Sequence, residues 1–252
     1  MRMIRSIKLQ VKRSIMGKML PVAVSIAILH ALSAYGFMRE SDVWYTVYNS
    51  MSTGITFFTI YLLPTMVFSA SVAEEIDNHA VRFWTIRSGI VEYTVSKIIA
   101  ASIAGFLAVF LGIALYIGLL DLFLPIYKWQ SSTSPYEVMI EAGAAGKGLL
   151  LFTIDVALSG AVTACFGMVC SFFILSRYTA VGAPMMLYLT LSRFTDSLNL
   201  PEYLNAAFWM HQVDVAPSAE AAVMKKLMVS FSVIIILGSL GVFRMYRRFQ
   251  ND

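Results

Sequence analysis

The chain has 252 residues, 58% of them hydrophobic and only 13% charged, with a net charge of +4 and a mean hydropathy of +0.73. These values lie outside the range of soluble globular domains and make lipid the solvent for most of the chain. A nucleic-acid surface is disfavoured too, because the basic residues sit in short stretches beside apolar blocks, where membrane topology places them.

Residues 2–18 carry Ile4, Ile7, Val11 and Ile15 at helical spacing, with Arg5, Lys8, Lys12 and Arg13 on other faces. This pattern predicts an amphipathic helix lying on the inner membrane surface. The apolar run 19–38 follows, and with small residues at Ala34 and Gly36 it has the outline of a secretory signal. It is long enough to span, and more spans follow, so it reads as an uncleaved first helix.

A spanning helix needs about 20 mostly apolar residues. Residues 54–73, 98–120, 148–175 and 227–243 meet that need clearly, while 178–193 is shorter and interrupted by Gly182 and Pro184. Charge decides whether this weak segment crosses. With six spans, 13 of the 19 Lys and Arg residues fall on the side of the chain ends, against Arg39, Lys128, Lys147, Arg193, Lys225 and Lys226 opposite. Five spans would carry Arg244, Arg247 and Arg248 outside, against the positive-inside rule. Both termini are therefore expected in the cytoplasm. Cys165 and Cys170 lie in one span on different helix faces, so they carry no disulfide signal.

None of the connecting segments is large enough to bury a core. Residues 121–147 read as an outer loop with a turn-like stretch at Ser131–Pro135. In the second outer segment, 192–226, the apolar centre Leu200, Leu204, Ala206, Ala207, Phe208 and Trp209 suggests a re-entrant dip into the membrane. Between spans two and three, Glu74, Glu75 and Asp77 precede a short stretch carrying Arg82, Phe83, Trp84 and Arg87. Acidic residues at its start and a cation near its end suit a helix dipole, so a short cytoplasmic helix is expected there. Taken alone, the same charges would fit an ordinary solvated loop.

With that architecture around it, the segment resembles the permease subunits of type-2 ABC transporters. The resemblance rests on Glu74, Glu75, Asn78, Arg87, Ser88, Tyr93, Ser96 and Lys97, in the family's order of acidic pair, coupling helix, turn, aromatic and lysine. A proline common after the apolar stretch is absent; Ile86 and Arg87 stand there. The basic N-terminal helix is similar to the family's elbow helix, and the region 201–214 to its re-entrant hairpin between spans five and six. The resemblance implies an all-α exporter subunit in the cell membrane that pairs with a second permease and binds two cytoplasmic ATPases. Phe83 and Trp84 would then pack into a groove on an ATPase, with Glu74, Glu75, Asp77, Arg82 and Arg87 orienting the contact. Peptide, antibiotic or lipid-like molecules are the cargo it implies.

An enzymatic reading finds less support. The nearest approach to a phosphate-binding loop, residues 143–148, lacks its first glycine and the hydroxyl after Lys147. ATP and Mg are therefore expected on a partner, with no cofactor on this chain. Glu74 and Glu75 match the paired glutamates of CAAX-type membrane proteases, but His79 stands where that family has arginine. Ser159 followed by Gly160 lacks an upstream glycine, and small residues in membrane helices more often serve close packing.

Two polar residues remain inside spans. Asp155 would cost about 3 kcal/mol if it faced lipid at mid-depth, so it is expected to face the bundle, a partner or water. His30 can bond to a neighbouring helix. Both are also candidates for substrate contact or proton transfer, which keeps an ion-coupled transporter or channel open as an alternative, beside a membrane immunity or regulatory protein.

Overall fold

Ala, Leu, Ile and Met dominate the long uncharged runs and lose little freedom in a helix, and in lipid a helix satisfies every backbone group internally. The computed structural model describes residues 2–36, 41–51, 53–128, 134–195, 201 and 216–251, and among them every element is helical. The order is α1 (Arg2–Met16), α2 (Met19–Ala34), α3 (Val43–Met51), a π-helical segment Phe57–Leu62 running into α4 (Leu63–Phe68), α5 (Ser71–Asp77) and α6 (Ala80–Ser88). There follow α7 (Ile90–Asp121), α8 (Pro135–Glu141), α9 (Ala145–Phe173), α10 (Arg177–Thr195) and α11 (Ala219–Asn251). The expected re-entrant centre at 202–215 lies outside the described residues.

Among the described residues three helices, Ile90–Asp121, Ala145–Phe173 and Ala219–Gln250, are long and apolar enough to cross a membrane. A fourth span arises if Met3–Ile15 and Met19–Ala34, which meet at a 49° bend, count as one. The chain is thus an all-helical protein with the helices of a membrane protein. α9 forms the centre, packed by α7, α11, α10 and α4, while α2 and α1 pack on α7.

Named contacts fix the directions. Gly112 of α7 lies on Ala23 and Ile26 of α2, and Tyr116 stacks on His30, so α2 and α7 run parallel. α7 and α9 run antiparallel through a close approach in which Gly105 meets Gly160 and Ala164, and Val109 meets Gly160. Asp155 meets Lys226 toward one end and Phe172 meets Gly241 toward the other, so α9 and α11 are parallel. The connection between them must return the length of the bundle. α10 makes that return, with Thr65 of α4 at Val181 and Tyr61 at Tyr188, antiparallel to α4.

Two prolines shape the irregular helices. A proline lacks the amide hydrogen and excludes the carbonyl four residues back. Pro64 so frees the carbonyl of Ile60, which accepts a 2.9 Å bond from Thr163 Oγ1 of α9. Pro184 likewise frees Ala180, whose carbonyl lies against Gly167, where a side chain would overlap it.

α1 docks with a face different from its sequence-predicted apolar one. Gln10 and Ser14 are buried and Ile7 and Val11 half-buried, whereas Ile4 and Ile15 are exposed beside Met3 and Leu9. Packing against α7 claims one edge of the apolar stripe and leaves the other exposed.

The close α7–α9 crossing yields a direct test. Gly105→Val would overlap the Gly160 carbonyl and Ala164 and should cost about 1–3 kcal/mol or more, read as a lowered melting temperature in detergent. Gly118→Ala, with nothing within 4 Å of the new methyl, should leave it unchanged or raised.

Candidate functional site

Glu75 lies on α5 one turn after Ser71, and Lys97 lies on α7 one turn after Tyr93, a spacing that stacks each pair on one helix face. Where α5 and α7 meet, the four converge. Lys97 Nζ donates to Glu75 Oε1 at 2.8 Å and to Ser71 Oγ at 3.1 Å, and the Tyr93 hydroxyl donates to Glu75 Oε2 at 2.7 Å. Arg13 of α1 also pairs with Glu75 Oε1. Lys97 sits 4.7 Å from the Phe68 ring centroid, which adds a cation–π contact. Ser6 of α1 donates to Ser96 Oγ at 3.2 Å, a second bond across the same joint.

Side-chain exposure is 0% for Lys97 and 3% for Glu75, so neither charge has bulk water to fall back on. Burial would raise the Glu75 carboxyl, but Lys97, Tyr93 and Arg13 outweigh it and hold the group below its usual range. The cluster thereby locks three helices at one point. Its rim carries two further pairs, Lys18 with Glu74 at 3.5 Å and Arg177 with Asp77 at 3.3 Å. Arg244 lies over Phe173, so the basic residues of α1, α7, α10 and α11 gather at one end of the bundle.

α6 hangs from this joint. Asn78 closes α5, His79 turns the chain with a left-handed φ of 55°, and Gly89 at φ 82° separates α6 from α7. On α6 Phe83 is 68% and Ile86 87% exposed, whereas Trp84 is half-buried against the protein's own core. Of the two aromatics expected to meet a partner, Phe83 is thus the more exposed, and Ile86 is exposed beside it. The side chains of Arg82 and Arg87 lie outside the described residues.

The other two predicted residues lie away from this joint. Asp155 is fully buried and takes a 2.9 Å bond from Lys226 Nζ, which is also at 0% exposure. Lys226 was expected in an outer loop; α11 opens at Ala219, which draws it two turns inside a helix. Tyr136 of α8 acts on the same carboxylate, and burial together with Asp155 pushes its phenol up. His30 is buried, bonded through Nε2 to Thr59 Oγ1 at 2.9 Å and stacked on Tyr116. Thr59 belongs to the π-helical segment, so His30 ties α2 to a helix that Pro64 has widened.

Arg13, Ser71, Lys226, Thr59 and Tyr116 complete these clusters without having been singled out in the sequence. The available signal was charge balance, since each buried carboxylate requires a cation. No family model matches the chain, and neither curated proteins nor solved structures yield a match.

Removing one member of a buried pair leaves the other uncompensated. Lys97→Met should cost about 3–5 kcal/mol, and adding Glu75→Gln should recover part of it, a coupling that a double-mutant cycle of unfolding in detergent measures. The sign of the pH effect follows from the depressed Glu75 carboxyl. Its contribution should be complete above the ordinary 4.5 and be lost as pH falls through the lower folded value.

Proposed function

We propose that the chain is the membrane subunit of an ATP-driven transporter of the type-2 ABC kind, with six spans and both termini in the cytoplasm. The observation that carries this reading is the Glu75 cluster. It joins the amphipathic α1, the end of the second apolar segment and the start of α7 into one rigid joint, and α6 projects from that joint with Phe83 and Ile86 exposed. A helix so mounted can receive a push from a cytoplasmic partner and pass it to α7 and α1 together. Clustering of the basic residues at this end supports its assignment to the cytoplasm.

The antiparallel course of α10 supports counting it as the fifth span, and the π-helical segment with α4 as the second. Two ATPases, each bearing its own nucleotide and Mg, would bind a pair of permeases in the plasma membrane and alternate the spans by binding the two conformations unequally. A peptide, antibiotic or lipid-like cargo is then moved outward or out of the inner leaflet. An ion-coupled mechanism through Asp155 is less favoured, because Lys226 already neutralises that carboxylate.

Affinity purification from the native membrane should bring down an ABC ATPase. Phe83→Ala with Ile86→Ala should release it by about tenfold or more, as loss of exposed apolar anchors does, while Trp84→Ala should chiefly lower thermal stability. Proton-driven transport by the isolated chain, with no ATPase bound, would overturn the reading.

A further inference from the structure

The cations around the Glu75 joint are matched: Lys97 and Arg13 face Glu75, Lys18 faces Glu74 and Arg177 faces Asp77. Three on α1 are not. Arg5, Lys8 and Lys12 are exposed, and among the described residues none has an ion-pair or hydrogen-bond partner. Their spacing of i, i+3 and i+7 sets them in one stripe along the helix, with Lys8 and Lys12 a turn apart, where like charges repel. Gln10 and Ser14 are buried against the protein, which turns the stripe to the opposite side of α1. α1 holds no acidic residue, and the first carboxylate of the chain is Glu40, beyond α2. The anions that answer this stripe must come from outside the helix.

Contacts on the inner side fix its depth. Ser6 donates to Ser96 of α7 and Arg13 meets Glu75, whose partner Lys97 stands directly before the apolar run from Ile98. α1 therefore crosses α7 where the apolar run begins, the level at which a bilayer passes from acyl chains to phosphates. Exposed apolar side chains flank the stripe, Ile4 and Ile15 on one edge and Leu9 on the other. Apolar contact alone would hold such a helix on any bilayer, whereas three unmatched cations beside it add attraction to lipid charge.

From this arrangement we infer that the outer face of α1 is a binding surface for anionic phospholipid, with Arg5, Lys8 and Lys12 taking the charged headgroups and Ile4 and Ile15 entering the acyl layer. Because Arg13 and Ser6 fasten the same helix to the Glu75 joint, bound lipid braces that joint. The surface needs neither an ATPase nor a second permease, so it stands or falls apart from the transport reading.

Photolabelling of the full-length protein tests it, in vesicles of phosphatidylcholine and phosphatidylglycerol in equal parts, with either lipid carrying a diazirine near its glycerol backbone. The phosphatidylglycerol probe should label α1 about fivefold or more above the phosphatidylcholine probe, the value of a basic residue beside an anionic leaflet, and high salt should shrink the excess. Arg5→Gln, Lys8→Gln and Lys12→Gln together should erase it, whereas the charge-keeping set Arg5→Lys, Lys8→Arg and Lys12→Arg should retain it. Phosphatidylglycerol should also raise the melting temperature of the wild-type protein and not that of the Gln variant, the two melting alike in pure phosphatidylcholine. Equal labelling of wild-type α1 by both probes, or an excess that survives the Gln substitutions, would overturn the surface. A melting-temperature rise shared by the Gln variant would overturn the brace.

Discussion

A carboxylate taken out of water must bring cations with it, and Glu75 does so at the point where α1, α5 and α7 meet. Lys97 is itself fully buried and Arg13 comes from α1, 62 residues before Glu75, so the pairing is also a statement about which helices can be neighbours. Pulling α5 and α7 apart would strand a charge in apolar surroundings, a cost that apolar packing alone would not impose, while the half-exposed Arg13 of α1 adds a second cation to the same carboxylate. The rest of the basic end is arranged around this point. Lys18–Glu74 and Arg177–Asp77 are more exposed and contribute less, yet they brace α2 and α10 against the same short helix.

The body of the bundle is held differently. Between α7 and α9 the glycines at 105 and 160 bring backbones into contact, so dispersion and geometry replace the hydrophobic effect as the source of association in lipid. Where helices lose internal bonds the neighbours supply them, as when Thr163 takes the carbonyl freed at Ile60 by Pro64. These repairs allow α4 and α10 to bend without leaving backbone groups bare. Both irregular stretches border a half-open apolar cavity, through Tyr61 and Pro184.

Asp155 and Lys226 form the counterpart of the Glu75 joint toward the opposite end, binding α9 to α11. Because these helices are parallel and α10 lies between them in the chain, the pair ties together segments 71 residues apart, in addition to the packing of Phe172 on Gly241. One turn further along each helix the Ser159 and Ser230 hydroxyls find no hydrogen-bond partner among the described residues, whereas in the Glu75 cluster both carboxylate oxygens are bonded.

Composition and hydropathy alone determined that the chain is helical and lies in membrane, because in lipid only a closed set of backbone bonds is tolerated, whatever the neighbours. The order Glu74, Glu75, Tyr93 and Lys97 was likewise legible as a unit, though not that Glu75 turns inward while Glu74 stays half-exposed, since a one-residue step turns a helix by about 100° and only the neighbour's position says which side is inside. Tertiary structure decided the partners. Lys226 looked like a membrane-flanking charge, and only the register of α11 against α9 made it the counter-ion of Asp155. Ile4 and Ile15 matched one apolar stripe with Ile7 and Val11, but docking on α7 covered part of the stripe and left the rest exposed. Local pattern fixes what a residue prefers to touch; which of several equivalent surfaces meets that preference depends on contacts between residues far apart in the chain.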